Sequence, residues 1–141
     1  MTPRILIVDD DSSIRTLLSV VAARAGVESD VAVDGVEAIE KVASTGYDVI
    51  VLDLQMPRMN GFDLIRELRG MNPRPAVIVL TALPATHHVI LDPSVVHCIV
   101  RKPFDLGTFM ALFVATATDV CASRAAVNVI PFRATSADER P

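Results

Sequence analysis

The sequence lacks the features that mark membrane, secreted and nucleic-acid-binding proteins. Although 51% of its 141 residues are hydrophobic, no uninterrupted apolar run approaches the ~20 residues that a membrane-spanning helix requires. The N-terminus enters a strand-like run directly, without the regions of a secretory signal. Its 13 basic residues against 17 acidic ones give no basic surface for phosphate backbones. We therefore expect a cytoplasmic protein with no direct nucleic-acid or membrane partner.

Cysteine and histidine are also scarce. The chain has two cysteines and three histidines, and their spacing matches no zinc site. Cys98 and Cys121 stand in apolar stretches, which favours buried reduced thiols over a disulfide. Ligands for a metal ion must therefore be oxygen atoms.

Five short apolar segments alternate with helical patterns along the first 122 residues. The predicted strands cover 4–8, 27–33, 49–53, 76–80 and 95–100. Helical stripes of apolar residues follow the first three strands and the fifth. Strands that alternate with helices form parallel sheets through right-handed crossovers. The sequence therefore predicts a doubly wound α/β fold with helices on both faces of a five-stranded parallel sheet.

The region between the fourth and fifth strands departs from this regular pattern. Pro84 restricts the start of a helix there, and Asp92-Pro93 ends it early. We expect a fourth helix that is short or irregular.

The final helix, which Asp105 should cap, carries little charge. Its predicted outer face consists of Leu112, Ala115 and Thr116, and its predicted buried stripe of Leu106, Phe109, Met110, Phe113, Ala117 and Val120. A weakly polar outer face favours a protein contact surface or a homodimer interface. The remaining residues, 123–141, should form a mostly flexible tail, too short to bury a core of its own.

Residues whose side chains can bind a cation or take part in a reaction lie at four predicted strand ends. Asp9 and Asp10 follow the first strand, Asp53 ends the third, Thr81 ends the fourth and Lys102 follows the fifth. Parallel strands present their carboxyl ends at one edge, so these side chains should converge in one crevice. Carboxylates ~4 Å apart repel by about 4 kcal/mol per pair at an effective dielectric of ~20, which favours a bound divalent cation. Oxygen ligands favour Mg²⁺ or Mn²⁺, with Asp10 and Asp53 as direct ligands and Asp9 through water.

Such a site suits phosphoryl transfer. A cation can hold one oxygen of an incoming phosphoryl group while the free carboxylate oxygen of Asp53 attacks phosphorus. The Lys102 ammonium and the Thr81 hydroxyl would bind the remaining phosphoryl oxygens.

The order and spacing of these residues resembles the receiver domain of two-component response regulators, of the single-domain type. The resemblance covers Arg4 to about Ala122. It rests on Asp9-Asp10, on Asp53 in Leu-Asp-Leu-Gln-Met-Pro with Gly61 after it, on Thr81-Ala82 and on Lys102-Pro103-Phe104. It implies a flavodoxin-like strand order 2-1-3-4-5 and a phosphoacceptor signalling protein without a separate catalytic domain.

The resemblance also implies partners and roles. Asp53 would accept a phosphoryl group from a phosphohistidine on a sensor histidine kinase or a histidine phosphotransfer protein. The Gln55 main-chain carbonyl would join the Mg²⁺ ligands. Thr81, Ala82 and Lys102 would bind the phosphoryl group and switch the face formed by residues 82–122, which would contact a downstream protein.

Two features depart from the family pattern and keep an alternative open: the residue at position 99, and the segment from Pro84 to Pro93, where the family normally has a regular fourth helix. Receivers usually carry an aromatic residue three positions before the site lysine, where this chain has Ile99. A phosphorylation-independent pseudo-receiver that acts as a docking module is therefore the main alternative.

Two further alternatives fit the residues less well. An aspartyl-nucleophile phosphatase would need a second aspartate where Gln55 stands. A flavin carrier would need a phosphate loop where the chain has three aspartates after its first strand, which would repel the flavin phosphate.

Overall fold

The structure is a computed structural model that describes residues 3–71, 74–83 and 91–123. Five parallel strands form one sheet in the order β2-β1-β3-β4-β5. The strands are β1 (Arg4–Val8), β2 (Glu28–Ala32), β3 (Val49–Asp53), β4 (Ala76–Thr81) and β5 (Val96–Arg101). The helices are α1 (Ser12–Arg24), α2 (Gly35–Ser44), α3 (Gly61–Leu68) and α4 (Leu106–Ser123). The predictions of a doubly wound α/β fold and of its strand order are confirmed.

The sheet is covered on both faces, because alternate residues of each strand point to opposite sides. On one face, Leu6, Val8, Ile50 and Leu52 pack with Leu64 and Leu68 of α3 and with Ala38 of α2. On the other face, Ile5, Ile7, Val49 and Val51 pack with Leu18 and Val21 of α1 and with Phe109 and Phe113 of α4. The central strand β3 is buried along its whole length, which explains its continuous apolar sequence.

Each of the first three helices begins with a polar cap. Asp11 Oδ1 accepts a hydrogen bond from the Ser13 N–H at 2.8 Å, and Asp34 Oδ1 accepts one from the Glu37 N–H at 2.9 Å. Asn60 Oδ1 accepts one from the Asp63 N–H at 3.0 Å. These caps satisfy N–H groups that a helix leaves free in its first turn, and they place the helix starts near the carboxyl edge of the sheet.

The predicted N-cap for the final helix is supported by the main chain. The Asp105 carbonyl oxygen accepts a hydrogen bond from the Phe109 N–H at 2.9 Å, directly before α4 begins. Gly26, with φ +74°, follows α1 as its sequence predicted, since glycine adopts the left-handed region without steric cost.

Several details of the sequence prediction are wrong. Thr116, predicted on the outer face of α4, is only 2% exposed. It lies seven positions after Phe109 and three after Phe113, so the 3.6-residue period places it on their face. The apolar stripe of the first helix predicts that Leu17 is buried with Leu18 and Val21, but Leu17 is 38% exposed and Ala22 is buried instead. Leu106 of α4, predicted in the buried stripe, is 40% exposed.

Five strand boundaries also differ by one residue: β2 begins later and ends earlier than predicted, β4 ends later, and β5 both begins and ends later. Strand β2 ends at Ala32 because the Val33 N–H donates to Glu37 Oε1 at 2.8 Å rather than to a neighbouring strand. The Val95 and Val96 N–H groups both donate to the Asp92 carbonyl oxygen, at 3.0 Å and 2.9 Å, in a turn that leads into β5, which begins at Val96.

Some predictions lie outside the described residues. These are most of the segment expected to hold the fourth helix (84–90), the tail from 124 onward, and the side chains of Ala117, Val120 and Cys121. Among the described residues, no helix is long and apolar enough to cross a membrane.

Candidate functional site

Three carboxylates meet at the carboxyl edge of the sheet, where the strand order reverses between β1 and β3. One ligand atom from each of Asp9, Asp10 and Asp53 can be chosen so that all lie within 4.8 Å of one another. Asp9 is 2% exposed and Asp53 is 7% exposed, whereas Asp10 faces solvent. In doubly wound folds, ligands bind at this switch point. The predicted convergence of the three aspartates is therefore observed.

Asp9 is held in place by its neighbours in the chain. Its Oδ1 accepts a hydrogen bond from the Asp11 N–H at 2.9 Å. Its main-chain carbonyl accepts one from Arg15 Nη1 at 2.8 Å, which ties the end of β1 to the first turns of α1. Burial is the main cause that raises the pKa of the Asp9 carboxyl. The hydrogen bond from Asp11 and the positive charge of Lys102 oppose that rise.

Lys102 brings the positive charge of the site. Its Nζ lies 3.3 Å from Asp9 Oδ2 and 3.8 Å from Asp53 Oδ2. Lys102 directly follows β5, and the pairing of β5 with β4 fixes its position. The main-chain N–H of Lys102 donates to the Thr81 carbonyl oxygen at 2.7 Å. One ammonium against three carboxylates leaves the cluster with an excess of negative charge.

Asp53 is the most perturbed carboxyl of the cluster. Burial raises its pKa to about 6, and repulsion from Asp9 adds to the rise, while Lys102 and the Gln55 N–H oppose it. That N–H lies 3.3 Å from Asp53 Oδ1. A carboxylate that is buried beside like charges gains most from a cation or from a transferred group.

Thr81 lies at the same edge, at the end of β4. The residue is buried, and its Oγ1 accepts a hydrogen bond from the Leu83 N–H at 3.0 Å. Ala82, between them, is exposed. Because a hydroxyl can donate while it accepts, this hydrogen bond leaves the Thr81 O–H able to act as a donor.

Ile99 lies on β5 in register with Val79 of β4. It is half-buried and packs, as Leu83 does, against the core between the sheet and helices α2 and α3. An aliphatic side chain therefore occupies the position where the family pattern has an aromatic ring.

The loop from β3 to α3 passes close beneath Asp53. A Cβ on Gly61 would lie 2.6 Å from the Asp53 carbonyl oxygen, so only glycine fits there without displacement. Within the same loop, three residues before Gly61, Arg58 Nε donates to Asp34 Oδ2 at 2.6 Å. The sequence analysis missed this ion pair. The only signals were an aspartate directly before a helix and an arginine between Pro57 and Gly61.

The donor set fits a hard divalent cation. All three side chains offer oxygen, which Mg²⁺ and Mn²⁺ prefer. Two ligands of one Mg²⁺ ion lie at most ~4.2 Å apart, so the observed spread of 4.8 Å requires only a small side-chain movement or a bridging water. Asp9, Asp10 and Asp53 would hold such an ion at the crevice.

Comparison with known proteins decides the family. The model of the response regulator receiver domain matches residues 5–113. The chain belongs to the response regulator receiver domain family. Receiver domains are signalling domains of two-component systems, so the expected class of protein is confirmed.

Individual relatives agree with this assignment. Response regulator MprA of Mycobacterium tuberculosis is 43% identical over 82 residues, which cover 58% of this chain and 36% of MprA. The receiver domain of Francisella response regulator 1452 is 30% identical with a TM-score of 0.76, covering 84% of this chain and 98% of that one.

A third relative was solved with a ligand. The response regulator TrrA of Thermotoga maritima, in complex with Mg²⁺–BeF, is 32% identical with a TM-score of 0.73, covering 82% of this chain and 99% of that one. The receiver chain spans about a third or less of the first curated relatives it matches, so the similarity concerns the receiver domain alone.

Proposed function

We propose that this receiver domain accepts a phosphoryl group on Asp53 from a phosphohistidine, on a sensor histidine kinase or a histidine phosphotransfer protein. The observation that carries the proposal is the meeting of Asp9, Asp10 and Asp53 within 4.8 Å, beside the Lys102 ammonium. Phosphoryl transfer needs placement and charge neutralisation more than covalent chemistry by the protein. The cluster offers both in one crevice.

The transfer would be a single displacement. A carboxylate oxygen of Asp53 attacks phosphorus, the new oxygen–phosphorus bond forms and the phosphorus–nitrogen bond of the donor breaks. The electron pair of that bond stays on the imidazole nitrogen, which takes up a proton. The Gln55 N–H orients Asp53 through Oδ1 at 3.3 Å, and Lys102, 3.8 Å from Oδ2, neutralises a phosphoryl oxygen.

Mg²⁺, or Mn²⁺ in its place, would be held by Asp9, Asp10, Asp53 and the main-chain carbonyl of Gln55. When bound, the ion offsets the negative charge that builds up on the transferred group. The oxygen-only donor set supports this choice, as does the Mg²⁺–BeF complex of the relative TrrA.

The phosphorylated state would signal through protein contact. Thr81 and Ala82 would turn toward the phosphoryl group, and Leu83, whose N–H is bonded to Thr81 Oγ1 at 3.0 Å, would move with them. Ile99 packs against the same core as Leu83, so an aliphatic contact would replace the usual aromatic switch. The face formed by residues 82–122 would bind a downstream protein or a second copy.

The domain limits and the location are part of the same proposal. Residues 1–122 would form the receiver domain and residues 123–141 a mostly flexible tail. The protein would act in the cytoplasm, where it would meet its phosphohistidine donor.

Intact mass spectrometry with acetyl phosphate tests the proposal. Wild-type protein should gain one phosphoryl group only when Mg²⁺ is present, and Asp53→Asn should gain none. Asp11→Asn is the matched control, because asparagine preserves the cap of α1, and it should be modified like the wild type. A folded wild-type protein that gains no phosphoryl group would support the pseudo-receiver instead.

A further inference from the structure

Two adjacent contacts tie the loop between β3 and α3 to the start of α2. Arg58 Nε donates to Asp34 Oδ2 at 2.6 Å, and the Gly35 N–H donates to the Met59 carbonyl oxygen at 2.9 Å. A Cβ on Gly35 would lie 2.5 Å from that oxygen, so the two segments approach as closely as glycine permits. The loop position is therefore fixed from the side of α2.

The Arg58–Asp34 contact holds an unfavourable backbone conformation. Arg58 has φ 62°, in the left-handed region that residues other than glycine, asparagine and aspartate rarely adopt. Asp34 is 4% exposed, and its second oxygen caps α2 by accepting from the Glu37 N–H at 2.9 Å. Both oxygens of a buried carboxylate are thus engaged, one of them by a cation, as a buried charge requires.

The other limb of the loop begins at Asp53. The Gln55 N–H contacts Asp53 Oδ1 at 3.3 Å, and the Leu54 carbonyl accepts from the Gly61 N–H at 3.1 Å. Gln55 therefore lies in a loop whose near limb is attached to Asp53 and whose far limb is attached to Asp34 and Gly35. A release of the far limb would give the Gln55 carbonyl a wider range of positions.

We propose that the Asp34–Arg58 ion pair positions the main-chain carbonyl of Gln55 for the divalent cation, so that Asp34 and Arg58 are positioning residues for phosphoryl transfer. The inference rests on the proposed function and adds two residues outside the carboxylate cluster. Partners that orient the ligands of a metal ion commonly change its affinity when they are removed. The pair therefore acts on cation affinity rather than on Asp53 directly.

Two conservative substitutions isolate the ion pair. In Arg58→Asn, asparagine tolerates φ 62°, so the pair is lost without added backbone strain. In Asp34→Asn, the amide oxygen can still cap α2. Arg69→Asn is the control, because Arg69 Nε makes a similar contact of 2.6 Å to Asp92 Oδ2 at the other end of α3.

Mg²⁺ affinity is measured by titration calorimetry on the full chain, and the rate of phosphorylation by acetyl phosphate is followed against Mg²⁺ concentration. Arg58→Asn, Asp34→Asn and the double variant should each weaken Mg²⁺ binding about tenfold, with rates that recover at saturating Mg²⁺. Arg69→Asn should bind Mg²⁺ like the wild type. Chemical denaturation in EDTA measures the stability of each variant separately.

The charges make Arg58→Asn the decisive variant. Loss of a positive charge near a cation site should by itself strengthen Mg²⁺ binding, whereas loss of positioning weakens it. If Arg58→Asn binds Mg²⁺ as tightly as the wild type, or more tightly, and has a lower free energy of unfolding, the inference is overturned. The ion pair would then serve only to stabilise the start of α2. Weaker Mg²⁺ binding in both variants, with a wild type that takes up no phosphoryl group, would support the positioning of the cation ligand by the ion pair and overturn the proposed function.

Discussion

Asp9 and Lys102, 93 residues apart in the chain, meet at 3.3 Å between Asp9 Oδ2 and Lys102 Nζ. Asp9 follows β1 and Lys102 follows β5, with β3 and β4 between those strands in the sheet. The lysine side chain therefore reaches along the carboxyl edge and past Asp53, 3.8 Å from its Oδ2. This contact closes the crevice that holds the carboxylates.

The charge balance of the cluster predicts a pH-dependent gain of stability in Asp53→Asn. The pKa of Asp53 is raised from 3.8 to about 6, so its ionised form destabilises the folded state. Protonated Asp53 contributes stability to the folded state. That contribution is fully present below pH 3.8 and is lost as the pH rises through about 6. In EDTA at pH 8, Asp53→Asn should raise the free energy of unfolding by up to about 3 kcal/mol.

Urea denaturation at pH 8 and at pH 4.5 checks this prediction. The gain should shrink toward the lower pH, where the wild-type carboxyl is protonated in the folded state. Glu67→Gln, which removes an exposed carboxylate of α3, is the control and should not reproduce the gain. A gain of equal size at both pH values would contradict the electrostatic origin.

Mg²⁺ binding should weaken in acid. Cation and proton compete for Asp53, whose pKa is about 6, and for Asp9, whose pKa is also raised by burial. Below about pH 6, the Mg²⁺ dissociation constant should therefore rise about tenfold per pH unit for each proton displaced. Calorimetric titrations between pH 5 and pH 8 measure this dissociation constant. A value that does not change over this range would contradict a site built on these carboxylates.

Lys102→Ala should separate cation binding from signalling. The lysine competes with a cation for Asp9 and Asp53, at 3.3 Å and 3.8 Å, so its removal should tighten Mg²⁺ binding at least about fivefold. The fold should remain intact, whereas the change of NMR chemical shifts on phosphorylation should be weaker than in the wild type.

Lys41→Ala is the matched control, since Lys41 pairs with Glu37 at 3.4 Å on α2. It should alter neither Mg²⁺ affinity nor the chemical-shift response. A Lys102→Ala protein with a wild-type phosphorylated state would count against the role of Lys102.

Gly61→Ala should damage the site through the backbone. Its Cβ would lie 2.6 Å from the Asp53 carbonyl oxygen and 2.7 Å from Leu54 Cα, so the loop must shift. We expect a loss of about 1–3 kcal/mol in the free energy of unfolding and slower phosphorylation. Gly46→Ala, whose Cβ would meet nothing within 4 Å, should be neutral in both assays, and equal behaviour of the two variants would refute the close approach.

The strand ends of the fold could be predicted because burial leaves a strong pattern. Strand β3 lies in the middle of the sheet and is apolar along Val49–Leu52 until Asp53, so both its position and the change of chemistry at its end are visible in the sequence. The parallel arrangement then brings Asp9, Thr81 and Lys102 to the same edge. Most of the candidate site thus follows from local patterns and one topological rule.

Contacts between loops could not be predicted in the same way. The Asp34–Arg58 pair joins two segments 24 residues apart, and its geometry depends on a single left-handed residue that no composition rule requires. Thr116 was predicted on the outer face of the final helix, although its spacing from Phe109 and Phe113 places it on the buried face. The residue is instead buried, and a hydrogen bond between its hydroxyl and the Cys98 thiol opposes the rise that burial causes in the pKa of that thiol. A buried hydroxyl with such a partner is tolerated.

The central claim is that Asp53 itself carries the phosphoryl group. Borohydride reduces an acyl phosphate to an alcohol, so treatment of the phosphorylated protein should convert that aspartate to homoserine. Peptide mass spectrometry should then find homoserine at position 53 and unmodified aspartates at positions 9 and 10, only in samples that contained Mg²⁺. Homoserine at position 9 or 10, or a stable phosphoryl group on another residue type, would contradict the account.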